Sequence, residues 1–195
     1  MHLRKRLIKL SPTERDGMRV AGRFNASLLD AIRAAIRPGV TTEQVDNLVR
    51  EFTYDHGHVP APLGYQGYPR SCCTSVNDVI CHGIPDAYVL KEGDIVNVDV
   101  TTIVHGWHGD SSETFLIGEV SPEAKRLVQC AFDCLYAGID NLEPGCRVSN
   151  IGDAVAKRAR RDRFSVVRKY VGHGVEPGSG RESDDRSSHS KGAER

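Results

Sequence analysis

Asp99 and Asp110 stand eleven positions apart in the segment "VNVDVTTIVHGWHGDSSETF", and His173 follows much later in "YVGHGV". Two carboxylates and one imidazole form a donor set that suits Mn, Fe, Co or Zn. That chemistry requires the carboxylates to lie side by side. "DIVNVDVTTIV" alternates and is rich in β-branched residues, "HGWHG" reads as a turn, and "DSSETFLIG" reads as the return strand. A turn centred on His105–Gly106 places Val104 opposite Trp107 and Asp99 opposite Ser112. Asp110, two residues from Ser112, is then the diagonal neighbour of Asp99 on one face, within side-chain reach. Two carboxylates on a mostly buried face repel each other, and each is costly to desolvate. A divalent cation removes both penalties. The competing reading is a solvated strand with surface acids, reached if a bulge or another turn shifts the register.

A second stretch, "LGYQGYPRSCCTSVNDVICHGIPD", is crowded with Gly, Pro, Ser, Asn and two tyrosines. It predicts a structured loop followed by a short strand. His82, between Cys81 and Gly83, is expected at a strand end with its ring accessible. A lone histidine there is more often incidental, and it gains meaning only beside the aspartates.

Taken together, "LIKLSPTERDGMRVAGR", "GYPRSCCTSVNDVICHGIPD", "GDIVNVDVT", "GWHGDSSETF" and "FSVVRKYVGHGV" resemble a type I methionine aminopeptidase, a metal-dependent enzyme of the pita-bread fold. The resemblance spans nearly all of residues 7 to 175. Prolidases share the metal logic of this fold but not the TSVN…CHGIP loop. The resemblance implies that Asp99, Asp110 and His173 are the first three of five metal ligands. Asp99 would bind one ion, Asp110 would bridge two, and His173 would bind the other. It makes His82 the substrate-facing histidine and gives Tyr65, Tyr68 and Cys73 to the methionine pocket. Pro62 stands where some members carry cysteine. The implied fold is α+β, with pseudo-twofold halves around a curved antiparallel sheet. The implied partners are N-terminal methionine peptides of nascent proteins, with possible ribosome proximity.

The elements needed to hold these residues are legible in outline. Ser11-Pro12-Thr13-Glu14 has the form of a capping box with proline at the first helical position. An apolar stripe through Met18, Ala21, Leu28, Ile32 and Ala35 continues that helix until Pro38. Further helices are predicted over about 42–54, 122–141 and 149–161, and a strand over 165–171. The order contains a weak repeat: helix, Pro38-Gly39, turn, helix, and again helix, Pro144-Gly145, turn, helix. The second copy is expected to be incomplete.

Composition bounds the function class. The chain has 195 residues, with acids and bases balanced at 26 each. No global field therefore draws it to nucleic acid or membrane. The start, "MHLRKRLIKL", is basic without the apolar core of a signal peptide, so residues 1–10 read as an arm. Six cysteines lack zinc-like CxxC pairing and read as reduced thiols, which points to the cytoplasm. The domain is expected over 11–175. Residues 176–195 read as a disordered polar tail, since Ala193 is the lone apolar residue after Glu176. Glu176, Glu182, Asp184 and Asp185 lie there, but nothing would hold them as ligands.

The change of composition after Val175 reads as a frameshift or a truncated gene. The resemblance implies two divalent ions in a complete site, and at most one weakly held ion here, with aminopeptidase activity impaired. A pita-bread remnant acting as a binding module is the alternative. "AKRARRDRFSVVRK" offers a further one, a nucleic-acid contact, although such a charge run is usually a solvated helix face.

Overall fold

The computed structural model describes residues 9–175. The tail over 176–195, with its four carboxylates, and residues 1–8 of the basic arm lie outside the described residues. Two helices open the chain, α1 (Pro12–Ala35) and α2 (Thr42–Asp55). Both begin in capping boxes. Ser11 accepts from the Glu14 amide while Glu14 accepts from the Ser11 amide, and Thr41 and Gln44 repeat the arrangement. Each box satisfies two backbone donors that a helix start otherwise leaves open.

The sheet is antiparallel and is organised around one long strand. β1 (Val59–Pro60) and β2 (Cys73–Val76) lie along one edge of β3 (Ile95–Val104), and β4 (Trp107–Leu116) lies along the other. His105 and Gly106 carry φ of 49° and 81°. Positive φ at both central residues marks the hairpin turn whose twist matches its strands. The register sets Val104 against Trp107 and Asp99 against Ser112, as the sequence predicts.

Alternation along β3 divides the sheet into two faces. Val96, Val98, Val100, Thr102 and Val104 are buried against α1 and α2, with Ala21, Leu28, Ile32, Val45 and Val49 in the same core. Gly109 permits the approach of α1, because a Cβ there would stand 2.7 Å from the Ala21 carbonyl oxygen. Asn25, wholly buried, donates to the Val100 carbonyl at 3.0 Å and accepts from the Thr102 hydroxyl. The opposite face carries Asn97, Asp99, Thr101 and Ile103, all half-buried. It is the face on which the candidate residues gather.

After the sheet, α3 (Pro122–Asp140) packs on α4 (Ser149–Arg161) through Cys130, Cys134, Ala159, Val155 and Phe164. The other side of α3 exposes Phe132, Leu135, Tyr136 and Ile139, an i, i+3, i+4, i+7 stripe. The internal repeat is visible in backbone detail. Gly39 and Gly145 share φ of 91°, and each turn closes with an i to i+3 hydrogen bond: Val40 to Arg37 at 3.2 Å, Cys146 to Glu143 at 3.0 Å. Both are type II turns, with proline first and glycine second.

The second copy differs after its helix. The predicted strand over 165–171 is irregular, and Val167, Tyr170 and Val171 are exposed. A strand exists only with a ladder partner, and none pairs with it among the described residues.

Candidate functional site

Three strands place the first candidates in one row. Cys73 of β2 pairs with Asp99 of β3, and Asp99 pairs with Ser112 of β4. Asp110 pairs with Thr101, two residues along, so it is the diagonal neighbour of Asp99 on their shared face. The Thr101 hydroxyl donates to Asp110 Oδ1 at 3.2 Å, fixing one side of that carboxylate. Burial, then the Asp110 charge, pushes the Asp99 carboxyl above its ordinary range, while His82 and His173 pull it back. Three other candidate groups therefore act on the Asp99 carboxyl.

His82 reaches this face by a route the sequence reading missed. It does not sit at a strand end but in the loop after β2, with φ of 55°. That loop folds back over the sheet. The Thr74 amide donates to the Gly83 carbonyl at 2.8 Å, and the Gly83 amide donates to the Ser75 hydroxyl at 3.2 Å. A Cβ at Gly83 would collide with the Thr74 carbonyl, so only glycine allows the approach. Ser75 pairs with Asn97, which puts the folded loop on the Asp99 side of the sheet.

His173 lies nearest the aspartates of the late residues. Its Nε2 stands 3.8 Å from Asp110 Oδ2, with the histidine side chain 70% exposed and that of Asp110 25% exposed. Its Nδ1 faces the Gly174 carbonyl at 3.0 Å. Tyr170, three residues earlier, meets His82 edge-on, with ring centroids 5.9 Å apart. The sequence reading gave Tyr170 only to a strand. Its spacing from His173 was the available signal.

The proposed pocket residues divide. The Tyr68 hydroxyl donates to the Cys72 carbonyl at 2.9 Å and to Cys73 Sγ at 3.3 Å. Burial drives the Tyr68 phenol far up, with the Cys73 contact adding to it. Burial also raises the Cys73 thiol, outweighing the opposing Tyr68 bond, and the Asp99 charge reinforces it. Tyr65 lies in a short 3₁₀ turn, Tyr65–Gly67, and is exposed; its amide donates to the Pro62 carbonyl at 3.0 Å and its carbonyl accepts from the Tyr68 amide at 2.8 Å. The loop into β2 is anchored by Asp46 of α2, which is wholly buried. Its Oδ1 accepts from the Ser71 and Cys72 amides at 2.6 and 3.2 Å, and Arg50 and Arg70 stand 3.7 and 3.9 Å from Oδ2.

Among the described residues, no three His, Cys, Asp or Glu side chains form a closed metal-binding group. The donor types nevertheless fit a divalent ion. Burial first, and the Asp110 charge second, raise the Asp99 carboxyl, and a cation would relieve both. His173, the third candidate donor, lies on an exposed segment outside any strand. All six cysteines are free. No helix among the described residues is long and apolar enough to cross a membrane.

Comparison with known proteins points the same way. Methionine aminopeptidase A of Synechocystis sp. is 48% identical over 167 residues, covering 85% of this chain and 66% of the relative. The methionine aminopeptidase of Rickettsia prowazekii is 46% identical over 165 residues, covering 84% and 64%. This chain thus spans about two thirds of the length of these relatives. The crystal structure of the Rickettsia prowazekii enzyme superposes with a TM-score of 0.85 at 44% identity, over 87% of this chain and 68% of that one. The Thermotoga maritima methionine aminopeptidase gives 0.82 at 37% identity, over 85% and 67%. A Xaa-Pro dipeptidase from Bacillus anthracis, 19% identical with a TM-score of 0.69, shares the fold alone. The architecture is the α+β pita-bread fold. Since the profile of metallopeptidase family M24 matches residues 16–193, the hairpin that pairs Asp99 with Asp110 lies inside the matched region, and the chain belongs to that family.

Proposed function

We propose that this chain is part of a metal-dependent aminopeptidase that removes methionine from the N-terminus of proteins. The observation that carries the reading is the placement of Asp99 and Asp110 as diagonal neighbours on one sheet face, beneath the folded loop that delivers His82. Asp99, Asp110 and His173 would hold the metal, of the Mn, Fe, Co or Zn class. Bound there, a divalent ion would supply a water of lowered pKa and polarise the scissile carbonyl.

The chain's own residues do the rest. Thr101 holds the Asp110 carboxylate at a fixed angle. His82, with an accessible ring braced by Tyr170, donates to the oxygen that gains charge during attack. Tyr68 and Cys73, joined by a hydrogen bond, form a wall of the slot for the methionine side chain, and Tyr65 stands at its rim. Cys73 serves there as a small apolar surface, because its thiol is kept protonated.

Three protein donors, one of them exposed, hold at most one ion, and weakly. Turnover by this polypeptide is therefore expected to be strongly reduced. The substrates are N-terminal methionine peptides of nascent proteins, met in the cytoplasm near the ribosome. The test is release of methionine from a Met-Gly-type peptide by the purified chain with added Mn or Co, beside Asp110→Asn. Slow, metal-dependent turnover lost in the variant supports the reading, and robust turnover refutes the impairment. Absent turnover together with absent metal binding favours the non-catalytic binding module.

A further inference from the structure

A cavity of about 440 Å³ opens between α3 and the end of α4, away from the sheet. Arg126, Arg158, Arg161 and Arg163 line it with Gln129, Asp133 and Asp162. Four guanidiniums against two carboxylates leave an excess of two positive charges. The seven side chains fall into two groups with different duties.

Arg158 is the structural member. It pairs with Asp133 and, at 2.6 Å, with Asp162, and Gln129 donates to Asp133 at 2.8 Å. Those contacts tie α4 to α3 and use both carboxylates. Arg126 is held in place by other means, donating to the Asp162 carbonyl at 3.1 Å and lying 5.4 Å over the Phe164 ring. It has no ion pair among the described residues. Arg161 and Arg163 have no ion pair among the described residues. Arg163 adopts φ of 66°, a left-handed conformation unusual for arginine, at the residue that turns the chain out of α4.

The C-terminal dipole of α4 favours a basic residue in its last turn. It does not account for Arg126, which comes from the neighbouring helix to the same cavity. Three exposed guanidiniums without an ion pair among the described residues line one hollow, and they match the charge of a tetrahedral dianion. The hollow also exceeds the space of a bare ion, since one water occupies about 30 Å³. The aromatic ring beside the cavity, Phe164, is covered by Arg126, so no free platform offers itself for stacking bases.

We infer that this cavity is a binding site for a small phosphorylated ligand, a phosphate monoester or diphosphate, whose phosphate is held by Arg126, Arg161 and Arg163. Arg158 positions the walls, and the polar rim formed by Gln129 and the two carboxylates receives the ligand's hydroxyl groups.

The experiment is calorimetric titration of the metal-free chain with pyrophosphate, inorganic phosphate and, separately, a short oligouridylate. The buffer is of low ionic strength, and folding is checked by circular dichroism. Saturable binding of one pyrophosphate per chain is expected, with inorganic phosphate weaker. Arg161→Gln and Arg163→Gln should each weaken it by about tenfold or more, as loss of a charge-assisted bidentate contact does. Arg161→Lys, which keeps the charge and loses the fork, should fall between, and Asp110→Asn should bind like the unaltered chain. The inference is overturned if the folded chain shows no saturable pyrophosphate binding, or if the arginine variants bind it unchanged. Preference for oligouridylate over pyrophosphate also overturns it and makes the surface a nucleic-acid contact.

Discussion

Asp99→Asn should stabilise the metal-free protein while abolishing its response to metal. The two carboxylates are diagonal neighbours across β3 and β4, which puts the charges roughly 6 Å apart. Two unit charges at that separation repel by about 0.7 kcal/mol in a water-like medium and about 3 kcal/mol at an effective dielectric constant of 20. The face is half open, so about 1–2 kcal/mol is the expected relief, or roughly 3–6 °C in melting temperature for a domain of this size.

The sign with pH is fixed by the raised Asp99 carboxyl. A group whose pKa is higher in the folded state stabilises below its unfolded value and loses that contribution as pH rises through the folded value. The advantage of the variant should therefore open above the ordinary aspartate range and be complete at neutral pH. Thermal melts of both proteins in chelator, at several pH values between 4 and 8, measure it. Added Mn should then raise the melting temperature of the unaltered chain and leave the variant unmoved. A variant less stable than the parent at neutral pH in chelator, or a difference independent of pH, would refute the like-charge argument.

Other perturbations separate the scaffold from the site. Gly83→Ala cannot keep the approach to the Thr74 carbonyl, so it should release the His82 loop at a cost of about 2–4 kcal/mol in denaturant unfolding. Asn25→Ala removes the partner of the buried Thr102 hydroxyl and the added bond to the Val100 carbonyl, and should cost about 1–3 kcal/mol in the same measurement. Phe132→Ser with Leu135→Ser replaces two exposed apolar side chains of α3 and should change stability by less than about 0.5 kcal/mol in the same measurement.

Much of the scaffold around the aspartates could be read from the sequence because local rules set it. The capping box at Ser11 and the turn at His105–Gly106 specify their elements within a few residues, whereas the second box, at Thr41, was passed over. Once the turn is fixed, the period of two in β-strands places Asp99 and Asp110 on one face without further information. Thr101 as the partner of Asp110 followed from the same register and was overlooked.

The His82 loop was not legible. Its path depends on a long-range pairing of Gly83 with Thr74 and Ser75, and a short Gly-rich stretch does not announce that pairing. Asp46 was missed for a similar reason, since an acid on a helix reads as a surface residue until the loop it anchors folds onto it. The segment over 165–171 has strand-like composition, but composition cannot supply a ladder partner.

The most direct test of the metal reading is titration of the chelator-treated chain with Co(II), followed by visible absorption of the bound ion. The account predicts one weakly bound Co(II) per chain, with its spectrum lost in Asp110→Asn and altered in His173→Ala. Absence of binding, or a spectrum indifferent to both substitutions, would contradict it.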